Sequence, residues 1–137
     1  MKRVAVFGIF DGVHDGHRDL FKQAKELGDE LVIIVGRDET AEKLKGKKPK
    51  YSEAERVKIL RAEPLVDEAV LGDTELSTYI VLERYNPDVV CLGYDQDELE
   101  ADLRRWMALR RSQGKQNIDL CRAKPYKADT LHSSLLT

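Results

Sequence analysis

The chain has 137 residues, 42% of them hydrophobic, which predicts one soluble, cytoplasmic domain spanning 1–137. No apolar run is long enough to cross a bilayer, so no membrane partner is expected. Its 23 basic and 25 acidic residues give a net charge of -2, which excludes the basic excess of a general nucleic-acid binder. Cys91 and Cys121 lack C-x-x-C spacing and read as small buried hydrophobes rather than a disulfide scaffold or a zinc ribbon.

Val4 to Phe7 is continuously apolar, as expected of a strand covered on both faces. Met1-Lys2-Arg3 resembles the start of a signal peptide, but the apolar run ends at Gly8, so it is read as a core strand. Gly8, Gly12 and Gly16 form a turn in which a ligand can approach the backbone. Asp15 is the expected cap of a helix with Leu20, Phe21, Ala24 and Leu27 on its inner face, closed by Gly28. His14 and His17 then lie where the helix leaves its first N–H groups free. Leu31 to Val35 is a second buried strand, which completes a βαβ unit.

Glu39 to Lys50, rich in lysine around Gly46 and Pro49, is expected to be a basic loop. Ser52 and Glu55 form a capping box for the next helix, and Pro64 limits it. Val66 to Leu71 is the third strand. Leu76, Ile80, Val81 and Arg84 predict a helix stopped at Asn86-Pro87, and Val89 to Leu92 is the fourth strand, running into Gly93-Tyr94-Asp95-Gln96. Asp97 is expected to cap the longest helix, with Leu99, Leu103, Trp106 and Met107 inward and Arg104, Arg105, Arg110 and Arg111 outward. Gly114 ends it, and Ile118 to Cys121 is the fifth strand.

Strands alternating with helices in this way predict an α/β fold, a Rossmann-like three-layer αβα domain with a five-stranded parallel sheet. Ligands of such sheets sit beyond the strand carboxyl ends, where the strand order reverses. The glycine spacing fits neither G-x-G-x-x-G nor G-x-x-x-x-G-K-[ST], which disfavours a dinucleotide oxidoreductase and a P-loop NTPase. What remains is a helix N-terminus suited to phosphate, carrying two imidazoles that can add directed hydrogen bonds. The alternative is that His14 and His17 are a helix cap and a surface residue. No third ligand for a structural zinc is evident, since His132 is distant in sequence.

The segment G-I-F-D-G-V-H-D-G-H resembles the G-x-F-D-x-x-H-x-G-H signature of the cytidylyltransferase-like nucleotidyltransferases. The likeness continues through the K-x-K stretch, S-x-x-E-R and G-Y-D-Q. It implies transfer of a nucleoside monophosphate from a triphosphate to a phosphorylated acceptor, with release of pyrophosphate and help from Mg²⁺ or another divalent ion whose ligands are unknown. By that resemblance His14, His17 and Lys45 are catalytic. Gly8, Ile9, Phe10, Asp15, Gly16, Asp95, Ser133 and Ser134 join the histidines in binding nucleotide, and Asp11, Lys45, Lys47 and Arg56 face the acceptor.

Ile9 stands where the family has Thr. The family's second signature, R-T-x-G-I-S-T-T, is only echoed between Lys124 and Ser134. L-G-Y-D-Q and K-L-K-G-K-K-P are similar to archaeal FAD synthases, which join ATP and FMN; the alternative within the family is CTP:glycerol-3-phosphate cytidylyltransferase. A nucleotide-binding module without turnover is the alternative from another class. Asp95 is read either as a contact to the adenosine or as a cap of its own loop. Since family members are often dimers, a homodimer is also an expectation.

Overall fold

The computed structural model describes residues 1–75 and 77–126. In chain order the elements are β1 (Arg3–Gly8), α1 (Asp15–Lys25), β2 (Glu30–Val35), α2 (Asp38–Lys45), α3 (Glu53–Arg61), β3 (Glu68–Leu71), α4 (Ile80–Tyr85), β4 (Val89–Leu92), α5 (Asp97–Ser112) and β5 (Asp119–Arg122). All strand pairs are parallel, in the order β3-β2-β1-β4-β5. The expected five-stranded parallel sheet is therefore present, with β1 at its centre and the reversal of strand order between β1 and β4.

Each central strand is buried on both faces because its alternate residues enter different cores. Val4 and Val6 join Leu31, Ile33, Phe21, Ala24 and Leu60 under α1 and α3. Ala5, Ile34, Val90 and Leu92 join Leu82 and Leu103 under α4 and α5. Cys91 and Cys121 are both free thiols and face each other across the β4–β5 register. Burial, with Cys121 beside it, pushes the Cys91 thiol up to about 11, which suits packing and opposes thiolate chemistry. Among the described residues no helix is long and apolar enough to span a membrane.

The N-cap of α5 is Gln96 rather than the expected Asp97, and three further expectations change. The basic stretch is not all loop: Asp38 to Lys45 is helical, with Asp38 and Glu39 in the first turn, Lys43 and Lys45 in the last, and Ala41 buried. Both sets of charges complement the helix dipole, and Gly46, at φ 74, ends the helix in the left-handed region. Arg110 faces inward rather than outward. It is 6% exposed, donates from Nη1 to Glu83 at 2.5 Å and from Nη2 to the Gln116 carbonyl at 3.1 Å, and lies 4.9 Å from the Trp106 ring centre. Glu83 on α4 and the indole face offset the cost of burying its charge.

The third correction concerns Arg56, expected at the acceptor. Its residue exposure is 0%. Nε donates to the Tyr51 carbonyl at 3.1 Å, Nη1 to the carbonyls of Ile9 at 2.9 Å and Gly36 at 2.6 Å, and Nη2 to the Asp38 carboxylate at 2.6 Å. A planar guanidinium can serve several fixed acceptors at once, and here the protein itself occupies it. Arg56→Ala is expected to lower the unfolding free energy by about 3–5 kcal/mol, and Arg56→Lys to recover only part of that loss, as read by urea denaturation.

Candidate active site

His14, not Asp15, caps α1, because its extended backbone turns the ring back over the first helical N–H groups. His14 Nδ1 accepts from Gly16 N–H at 3.1 Å and His17 N–H at 3.4 Å, while His17 Nδ1 accepts from His14 N–H at 3.3 Å. The result is a capping box made by two imidazoles. Each ring therefore spends its Nδ1 as an acceptor in the cap. The two rings stack at 3.7 Å with 20° between their planes. Asp15 lies in the first turn and pairs with Arg18 at 3.2 Å.

Residues of the glycine turn support this pair from behind. The Phe10 ring meets His17 edge-on at 5.0 Å and Phe21 at 5.4 Å. Phe10 holds a left-handed backbone, φ 53, uncommon for a bulky residue. Gly8 makes room for it, since a Cβ there would sit 2.5 Å from the Phe10 ring. The closely approaching group at Gly8 is thus an aromatic side chain of the same turn. The Ile9 carbonyl is taken by Arg56. Gly8, Ile9 and Phe10 underlie the histidines rather than line the cleft described below.

Asp11, expected at the acceptor, engages the backbone just before α3. Its carboxylate accepts from Lys50 N–H at 2.7 Å and Tyr51 N–H at 2.8 Å, tying residues 46–52 to the glycine turn. Those two backbone bonds, Tyr51 first, hold its carboxyl below the ordinary value, with Lys45 adding a smaller pull in the same direction.

At the carboxyl end of the sheet lies a cleft of about 300 Å³, the scale of a small-molecule site. His14, Gly16, His17, Asp19 and Leu20 form its α1 wall. Gly93, Tyr94 and Asp95 form the wall after β4, and Ala123, Lys124 and Tyr126 the wall after β5. Asp95 therefore does face the histidines. Lys45 and Lys47 are exposed outside this lining, at the end of α2 and just beyond it. Ser133 and Ser134 lie outside the described residues, as does His132. The described residues contain no group of three side chains suited to a metal ion.

Lys124, where the echo of the second signature begins, is a cleft residue beyond the expected set. Among the described residues it is the sole lysine or arginine lining the cleft. Gln23 of α1 fixes its backbone both ways, accepting from Lys124 N–H at 2.9 Å and donating to its carbonyl at 3.1 Å. The available sequence signal was its place just after the fifth strand, where ligands of parallel sheets gather.

The cytidylyltransferase-like family matches residues 5–134. This chain belongs to that family. Similar proteins include FAD synthases from Thermococcus sibiricus, 46% identical over 69% of this chain, and from Pyrococcus horikoshii, 45% identical over 75%. The chain spans 64% of the length of the first and 70% of the second. A similar FAD synthase from Thermoplasma acidophilum is 45% identical over 77% of this chain and 72% of its own length. Among solved structures, a lipopolysaccharide core biosynthesis protein from Thermoplasma volcanium superposes with a TM-score of 0.81 at 35% identity, covering 93% of this chain and 99% of its own. A protein of unknown function from Archaeoglobus fulgidus shares the fold, with a TM-score of 0.68 at 22% identity over 90% of each chain.

Because the family histidines are also the helix cap, substitution must separate the two roles. His14→Asn retains a capping oxygen and is expected to leave stability nearly unchanged, whereas His14→Ala costs about 1 kcal/mol in thermal or urea unfolding. For Asp11 the folded carboxyl is lowered, so its contribution is fully present above the ordinary value of 3.8 and is lost as pH falls through the folded value. The protection factors of the Lys50 and Tyr51 amides, relative to intrinsic exchange at each pH, are expected to fall over that acid window, and Asp11→Ala to lose the protection at every pH.

Proposed function

We propose that this protein transfers AMP from ATP to FMN, giving FAD and pyrophosphate. The observation that carries the reaction type is the reciprocal imidazole cap at the start of α1, whose two histidines line the cleft. The FAD synthase relatives, 46% and 45% identical to this chain, support the choice of ATP and FMN.

In this reading the FMN phosphate attacks the α-phosphorus in line. A P–O bond forms to the FMN phosphate oxygen, and the bond from the α-phosphorus to the bridging oxygen of pyrophosphate breaks. The attacking phosphate is already an anion, so no general base is required; positioning and charge stabilisation supply the rate. His14 and His17 donate Nε2–H to oxygens whose charge grows in the transition state. The α1 N-terminus, with Gly16 admitting close approach, favours the same anion.

Lys124 offsets triphosphate charge from the wall after β5. Tyr94, 47% exposed, presents an aromatic face to the base, and Asp95 an acceptor to the adenosine. Ser133 and Ser134 are proposed for the outer phosphates. Lys45 and Lys47 are proposed to meet the acceptor phosphate from the α2 side. Arg56 takes no part, and Asp11 acts only by holding the 46–52 loop.

A divalent ion fits this donor set in one way. Asp19 and Asp95 are the carboxylates of the cleft that would hold such an ion or its waters together with triphosphate oxygens. It supplies charge neutralisation on the departing pyrophosphate.

The decisive experiment incubates the protein and Mg²⁺ with ATP or CTP and with FMN or glycerol 3-phosphate. Pyrophosphate and FAD are expected from ATP plus FMN. Turnover of only CTP and glycerol 3-phosphate overturns the substrate choice, and no pyrophosphate from any pair overturns the enzyme. His17→Asn is expected to lower kcat by about a hundredfold or more, as loss of a transition-state donor does. Lys124→Ala is expected to raise KM for ATP about tenfold, the scale of one charge-assisted contact.

A further inference from the structure

Gln96 is the residue just before α5, the position of the N-cap, yet its side chain makes no capping bond. It turns toward the sheet instead. Its Oε1 accepts from Gly93 N–H at 2.7 Å, and its Nε2 donates to the Phe7 carbonyl at 3.1 Å. Those two backbone groups belong to the ends of neighbouring parallel strands. The β1–β4 register pairs Val4 with Val89 and Ala5 with Val90, and past it the strands part. The primary amide of Gln96 spans the parting as an inserted peptide group would, an acceptor to one strand and a donor to the other.

The same segment is held from its other side. Arg122, the last residue of β5, donates from Nη1 to the Tyr94 carbonyl at 2.8 Å. Its guanidinium is itself fixed by Asp97 at 2.8 Å and Glu100 at 2.7 Å, both on α5. Gly93 packs in ordinary contact with this segment, since a Cβ there would lie 3.4 Å from Asp95 Oδ1 and 3.5 Å from Gln96 Cδ. Gly93 to Asp95 is the wall of the cleft opposite the histidines. Neither Gln96 nor Arg122 lines that cleft. Both act through the segment that does.

We infer that Gln96, seconded by Arg122, is a positioning residue for the nucleotide: it fixes the gap between β1 and β4 and sets Tyr94 and Asp95 against the base. This rests on the nucleotidyl-transfer reading of the cleft. It also has a consequence for recognition, because Gly93 N–H and the Phe7 carbonyl are already paired and do not contact the ligand. The base is read by Tyr94, Asp95 and the remaining backbone of that wall. A carboxylate at position 96 would still accept from Gly93 but would face the Phe7 carbonyl with a second acceptor, forcing the gap wider.

The test compares the full-length wild type with Gln96→Glu, Gln96→Met and Arg122→Lys. KM for ATP, KM for FMN and kcat are measured alongside the thermal midpoint and the ATP/CTP preference. A rise of about tenfold in KM for ATP is expected for both Gln96 variants, with KM for FMN and kcat changed less than about threefold, the signature of lost uniform binding of one substrate. Arg122→Lys keeps its charge toward Asp97 and Glu100 and is expected to move KM for ATP in the same direction by a smaller factor. A lower thermal midpoint with unchanged KM for ATP makes Gln96 merely structural and overturns the inference. Should both Gln96 variants fail to fold, an unchanged KM for ATP in Arg122→Lys overturns it equally. A wild type that makes no FAD from ATP and FMN overturns the underlying reading instead, and is seen before any variant is compared.

Discussion

A single buried guanidinium sets the geometry on which the candidate site depends. Arg56 joins the carbonyl after β1, the carbonyl after β2, the start of α2 and the segment before α3. Each of these would otherwise be a chain end leaving a parallel sheet with unpaired polar groups. A fully buried charge is tolerated only when its donors are used, and here the acceptors are backbone groups of turns that must converge. The glycine turn is therefore held from below by Arg56 and from the side by Asp11. Its outer edge is free to be shaped by the requirements of a ligand.

On that support, two histidines form the capping box that a serine and a glutamate form at α3. Their Nδ1 atoms accept from backbone N–H groups at the start of α1. Phe10, the stack of the two rings and the glycine at position 8 restrict the imidazoles to one orientation. Such restriction is what electrostatic stabilisation of a phosphoryl transition state requires, since donors already in place need no reorganisation as charge develops.

The sequence made the sheet legible because buried parallel strands are uninterrupted apolar runs, and Val4 to Phe7, Leu31 to Val35 and Val89 to Leu92 are of that kind. The histidine motif was legible because its spacing and its glycine context are specific. What escaped were features carried by partners rather than by pattern. Lysines in α2 resembled a solvated loop until Ala41 and the dipole-matched charges showed a helix. Arg56 was read as an acceptor contact and Arg110 as outward-facing because no local signal marks Asp38 or Glu83 as their companions. Lys124 opens only an echo of a motif, and the parallel path of β5 beside β4 brings it to the cleft.

The strand order also bears on how copies of this protein treat one another. β3 and β5, which flank the sheet, contain four residues each, whereas β1 and β2 in the middle contain six. An edge strand exposes a row of hydrogen-bonding groups that can recruit a strand from another molecule, and the strength of that recruitment grows with the length on offer. Brief borders carrying Glu68, Asp119 and Arg122 limit it. The longest and most apolar strands, which would template aggregation most readily, are enclosed where no foreign chain can pair with them.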